Sequence, residues 1–123
     1  MNLRGLTVVE IGISFQLSLL LDPEARVVLG CPFALTHYGD DGRQDVSLDP
    51  GRQDVTAAIR LFGAKVLSAV AFKTGSMRLV FDNGWHLNSR ADPSFEAWDV
   101  LGPGGWRIIS MPGGKLAVWS GRD

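Results

Sequence analysis

Ser76-Met77-Arg78-Leu79-Val80-Phe81-Asp82-Asn83-Gly84-Trp85-His86-Leu87 is the stretch that decides the fold. Apolar and polar residues alternate over 76–81, and Asn-Gly then supplies two positions that tolerate the positive φ of a tight hairpin turn. The stretch predicts a strand over 76–81 and another over 85–87. Upstream, Lys65 to Phe72 is a third apolar, β-branched run, so 65–87 reads as a three-stranded antiparallel meander.

A second meander is expected near the start of the chain. Thr7-Val8-Val9-Glu10-Ile11, Gln16 to Leu21 and Arg26 to Leu29 are its strands, and Asp22-Pro23-Glu24 is a turn in which proline presets φ. The two units align. Gly5-x-x-Val8 matches Gly63-x-x-Val66, Leu17-x-Leu19-x-Leu21-Asp22 matches Met77-x-Leu79-x-Phe81-Asp82, and Val27-x-Leu29 matches Trp85-x-Leu87. The offset is 58, becomes 60 after a two-residue insertion within Lys73 to Gly75, and returns to 58. The pattern predicts an internal pseudo-repeat.

Between the meanders, Val55, Ala58, Ile59 and Phe62 recur at the spacing of an amphipathic helix. One short helix is expected there, capped by Asp54 or by Asp49 ahead of Pro50 and stopped by Gly63. Before it, His37 to Gln53 is polar and reads as a solvated loop. The loop contains a tandem copy, Gly42-Arg43-Gln44-Asp45-Val46 and Gly51-Arg52-Gln53-Asp54-Val55. Calcium-binding β-roll repeats need paired glycines and several copies, so a local duplication is the better reading. After Leu87, Phe95 to Val100 is a further strand. Trp106 to Met111 and Lys115 to Trp119 close the chain as a C-terminal hairpin through Pro112-Gly113-Gly114. Eight or nine strands and one helix make the chain mainly β (α+β). Short antiparallel strands in that number form a barrel or a sandwich, because long open sheets leave adhesive edges.

A length of 123 residues corresponds to a single domain, 1–123, and 46% hydrophobic residues supply a packed core. Twelve basic against 13 acidic residues leave a net charge of −1, without the basic field that nucleic acid or an anionic membrane requires. The longest uncharged apolar stretch, Ile11 to Leu21, is too short for a membrane span, and no signal peptide is read at the start. One cysteine, Cys31, forms no internal disulfide and fits a reducing, cytoplasmic setting.

Chemistry-bearing residues are few. Cys31 and His37 share no nucleophile motif, two histidines are too few for zinc, and the glycine-rich turns lack a phosphate loop's lysine. No catalytic residue, metal or cofactor is therefore assigned. The densest polar and aromatic patch holds Asp82, His86, Glu96, Trp98, Trp106 and Arg107. Alternation sets His86 opposite Trp85 and Leu87, and puts Glu96 on the face of Trp98, where the carboxylate would pair with Arg107 or His86. Trp106, after Gly105, is expected to be the exposed tryptophan. Asp40, Asp41 and Asp45 add an acidic group suited to a basic partner surface.

Phe95-Glu96-Ala97-Trp98, followed by Met111-Pro112-Gly113-Gly114-Lys115-Leu116-Ala117-Val118-Trp119, resembles a family of small bacterial proteins known only as a domain of unknown function. Its members share an Asp-x-Gly hairpin, here Asp82-Asn83-Gly84, before a Glu-Ala-Trp element, and end in Pro-Gly-Gly-x-Leu-Ala-Val-Trp. The resemblance covers nearly the whole chain and implies no activity. At a distance it is similar in size and charge to immunity-type proteins that neutralise a toxin. The duplicated Asp40 to Asp54 segment departs from the family pattern, and no function is carried onto it.

The leading expectation is a cytoplasmic, non-enzymatic protein that binds a protein partner, immunity-like, through a β surface and the acidic loop. One alternative is a small-molecule-binding or hydrolytic barrel with His86 and Glu96 in its mouth. Another is a homodimer paired through strand edges within Trp106 to Trp119.

Overall fold

Both expected meanders form, and each is completed by strands from the other half of the chain. The computed structural model describes residues 1–121. Its strands are β1 (Thr7–Ile13), β2 (Leu17–Asp22), β3 (Ala25–Leu29), β4 (Phe33–Gly39), β5 (Gly42–Leu48), β6 (Val66–Ala71), β7 (Met77–Phe81), β8 (Trp85–Ser89), β9 (Trp98–Leu101), β10 (Arg107–Ser110) and β11 (Leu116–Trp119). Three 3-10 turns cover Pro50–Arg52, Thr56–Leu61 and Pro103–Gly105. The strands make a six-stranded sheet, β1-β2-β3-β9-β10-β11, and a five-stranded sheet, β5-β4-β8-β7-β6, antiparallel throughout. The architecture is sandwich-like and not a closed barrel.

The pseudo-repeat is visible in hydrogen bonds and register. Val8 and Val66 donate their amides to the carbonyls of Ala64 and Leu6, both at 2.9 Å, and Gly5 and Gly63 donate to Val66 and Val8 at 2.7 and 2.8 Å. Each bond has its mirror at the offset of 58. Both first strands also carry a bulge at the same place, between Val8 and Glu10 and between Val66 and Ser68. The bulged residues Val9 and Leu67 are both exposed. A bulge bends and twists a strand, and the matched pair sits where the two sheets meet.

After its meander each half crosses over. β4 follows β3 but pairs with β8, and β9 follows β8 but pairs with β3. Inward residues of both sheets form one apolar cluster that includes Leu19, Leu21, Val27, Leu29, Leu35, Leu79, Phe81, Leu87, Trp98 and Val100. Matched positions of the two halves keep matched roles: Leu3 and Leu61, Leu19 and Leu79, and Leu29 and Leu87 are all fully buried.

Three expectations are corrected. The segment read as a solvated loop, His37 to Gln53, contains the end of β4 and all of β5, a hairpin in register from Phe33↔Leu48 to Gly39↔Gly42. Its outward positions are polar because they face away from the core, which hides a strand from a composition-based reading. The amphipathic helix is instead a 3-10 turn, whose three-residue period stacks Val55, Ala58 and Leu61 inward and leaves Ile59 (71%) and Phe62 (61%) exposed. Finally, Phe95–Val100 is not one strand: β9 begins at Trp98, and Ala97 and Trp98 are both buried. The tandem copies also part ways. Gly42–Val46 lies in β5, whereas Gly51–Val55 makes a 3-10 turn, a left-handed Gln53 and a bridge between Asp54 and Asp49. Tertiary context overrides local preference here.

Candidate functional site

The outer face of the five-stranded sheet carries an open groove of about 680 Å³. Cross-strand register explains its lining. Ser47, Ala34, Asn88 and Arg78 line it as one row across β5, β4, β8 and β7, and Asp45 and Thr36 begin the next row, which His86, Val80 and Ser68 continue beyond the groove. Residues paired across antiparallel strands point to the same face. Arg43 and Tyr38 continue beyond the second row, and Phe72, Ser76 and Arg90 close the other end.

The polar groups of the groove are held in place by one another. Thr36, itself buried, donates its hydroxyl to the Asp45 carboxylate at 2.8 Å, and Arg43 Nε donates to the same oxygen at 3.0 Å. These two bonds, the Thr36 hydroxyl first, hold the Asp45 carboxyl below its ordinary range, and the same ion pair raises Arg43. Arg78 lies over the Phe72 ring at 5.6 Å and donates through Nε to Asn88 Oδ1 at 3.2 Å. His86 packs edge-on against Tyr38 at 5.0 Å. Burial, with the neighbouring Arg78 charge, holds the His86 imidazole below its usual value.

Of the residues singled out in the sequence, Asp45 and His86 are brought together, on either side of Thr36. Asp40 and Asp41 occupy the β4–β5 turn, at the tip of the same hairpin. The others lie elsewhere. Asp82 ties the β7–β8 turn to the residue before β6, its side chain accepting the Lys65 amide at 2.9 Å. Trp98 is core: its Nε1 donates to the buried Gly75 carbonyl at 2.8 Å, which also accepts the Ser110 hydroxyl. Trp106 is half-buried rather than exposed, because its ring packs on Gly102, where any Cβ would collide with it. Trp119 is the exposed tryptophan, at 50%.

Glu96 is exposed and outside β9, so it does not share the face of the buried Trp98. Its backbone carbonyl lies 3.7 Å from Cys31 Sγ. Arg107 pairs instead with Asp99, through Nε to Oδ1 at 2.9 Å and Nη2 to Oδ2 at 2.5 Å. Among the described residues Glu96 and His86 share no hydrogen bond or ion pair, and neither lines the groove. No group of three or more His, Cys, Asp or Glu among them could hold a metal ion. No helix among them is long and apolar enough to cross a membrane.

Thr36, Tyr38, Arg43, Arg78 and Asn88 were not singled out in the sequence. The available signal was the alternation Phe33-Ala34-Leu35-Thr36-His37-Tyr38, an apolar-in pattern running into the segment read as a loop.

The pseudo-two-fold gives the groove an internal reference. Since β9 crosses β3 as β4 crosses β8, Asp99 stands where Thr36 stands, Leu101 where Tyr38, Arg107 where Arg43 and Val28 where His86. That second location, which matches the groove at the Thr36, Tyr38 and Arg43 end, holds a cavity of about 140 Å³ lined by Arg26, Val28, Asp99, Leu101 and Arg107. A comparison with protein families matches residues 1–120 to a family of unknown function, DUF6188. Neither the curated proteins nor the solved structures provide a match.

Proposed function

The chain belongs to DUF6188, a family of unknown function, and from the geometry of the sheet we propose that it is a binding protein that holds its partner in the groove of the five-stranded sheet. The observation that carries this reading is the asymmetry between two equivalent places. The two places correspond at the Thr36, Tyr38 and Arg43 end, where one half has an open groove of about 680 Å³ and the other, at Asp99, Leu101 and Arg107, a cavity of about 140 Å³ beside a bidentate ion pair. Thr36, Asp45 and Arg43 satisfy one another, an arrangement that suits recognition better than proton transfer. Ala34→Trp would fill the groove from the middle of its face without entering the core. In pull-downs from native lysate, a partner captured by wild type should be lost with Ala34→Trp and kept with Arg107→Ala. A partner that survives Ala34→Trp would move the site off this face.

Self-association through β11 is a second reading, and one observation favours it. β11 is the free edge of the six-stranded sheet, its four residues Leu116–Trp119 include no charge or proline, and Val118 and Trp119 are exposed. Natural edges usually carry such blocking residues. Light scattering of wild type against Val118→Lys tests it: a dimer converted to monomer supports the reading, and a wild-type monomer at high concentration removes it.

A further inference from the structure

The geometry points to an acid as the occupant of the groove: a ligand presenting a carboxylate or phosphate group on a flat apolar body. This inference rests on the groove being the binding site. Three guanidiniums, Arg43, Arg78 and Arg90, line it against one carboxylate, Asp45. The chain as a whole carries −1, so the local excess of positive charge is a property of this face. Asp45 is already engaged by Thr36 and Arg43, which leaves Arg78 and Arg90 without an acidic partner among the described residues.

Arg78 is the better placed of the two. Stacking on Phe72 and the Nε bond to Asn88 fix the plane of its guanidinium, and its two terminal amino groups have no protein acceptor among the described residues. A planar guanidinium with a free N–H edge matches the oxygens of a carboxylate or phosphate. Ser89, one of the lining residues, has a buried hydroxyl with no partner among the described residues. Phe72 and Tyr38, both exposed, stand toward opposite ends of the groove, each with a guanidinium over its ring, Arg78 at 5.6 Å and Arg43 at 6.0 Å, so that aromatic surface and positive charge lie side by side for a flat acid. The pseudo-symmetric position makes the contrast. Arg107, the counterpart of Arg43, is closed by both oxygens of Asp99, and among the described residues lining that cavity Arg26 is the one other guanidinium.

Amide chemical-shift titration with benzoate, phenyl phosphate, benzamide and inorganic phosphate tests this on the full chain, with Arg78→Gln, Arg90→Gln and Arg107→Gln alongside wild type. Benzoate or phenyl phosphate should shift the amides of Ala34, Arg78 and Asn88 saturably, and Arg78→Gln should weaken that binding at least tenfold while Arg107→Gln leaves it unchanged. The tighter of the two aromatic acids identifies the acid group. Benzamide binding as tightly at the same amides would overturn the acid and leave the groove as the site. Inorganic phosphate binding as tightly as phenyl phosphate would overturn the flat body. No shift of groove amides by any probe would overturn the inference as a whole, whereas the groove reading itself falls only if a captured partner survives Ala34→Trp. The arginines are exposed, and retained shift dispersion in the variants shows that they fold.

Discussion

Thr7 and Lys65 face each other in an isolated antiparallel bridge, and each is the other's counterpart in the repeat. The pseudo-two-fold axis therefore passes between them. A residue pairing with its own equivalent is what an isologous dimer interface shows, and here both partners lie on one chain. The reciprocal placement of β4 and β9 extends the same relationship outward from this pair.

Neither half can complete a sheet alone. Residues 1–62 leave β3 without β9, and residues 63–123 leave β8 without β4. Each fragment should be poorly ordered by circular dichroism and amide dispersion, and mixing the two should restore the spectrum of the intact chain. A monomeric fragment with full native dispersion would contradict this.

The 3-10 phase of Thr56–Leu61 has a direct mutational signature. Leu61→Ala, at a fully buried site, should lower stability by about 2–5 kcal/mol. Ile59→Ala should stay within about 0.5 kcal/mol, since its side chain is in water. An α-helical stripe would reverse the order, and urea unfolding of the two variants decides it.

The Gly75 carbonyl takes two buried donors, Trp98 Nε1 and the Ser110 hydroxyl, each at 2.8 Å. Ser110→Ala leaves it one donor and should cost about 1 kcal/mol. Combining Ser110→Ala with Trp98→Phe strips the carbonyl, so the double variant should lose more than the sum of the singles, by about 0.5–3 kcal/mol. Additive losses in denaturant melts would show that the two bonds are independent.

His86 sets a pH dependence of known sign. Burial, then the Arg78 charge, holds its folded value below the 6.5 of the free side chain. As pH falls past 6.5 the unfolded chain takes up the proton first, so the stability contributed by the neutral ring is full above 6.5 and is lost as pH falls through the folded value. Between about pH 7.5 and about pH 5, wild type should lose more stability than His86→Gln in paired urea titrations. Equal losses would show that His86 is not the group responsible.

The sequence made the meanders legible because their alternation coincides with turn chemistry, as in Asp82-Asn83-Gly84, and because Leu19 and Leu79 recur in one register. β4 and β5 were hidden by the groove itself: a strand whose outward face is Thr36, Tyr38, Arg43 and Asp45 has the composition of a loop. The helix was misread because Ile59 and Phe62 fit a 3.6-residue period as well as Val55, Ala58 and Leu61 fit a period of three. Of the site, Asp45 and His86 were named, but their union on one face depends on β4 lying between β5 and β8, a long-range pairing that no local pattern encodes. Glu96, Trp98 and Arg107 were grouped by nearness in sequence, which the short β9 does not preserve in space.

The exchange of strands between halves also dictates when the protein can be finished. Leu29 has to wait for Trp98, and His37 for Trp85, before either finds its neighbour. A nascent chain halted ahead of residue 98 presents the whole outer edge of β3 to its surroundings, an open template for strands of other chains. Synthesis of the second half is thus also the step that silences the first.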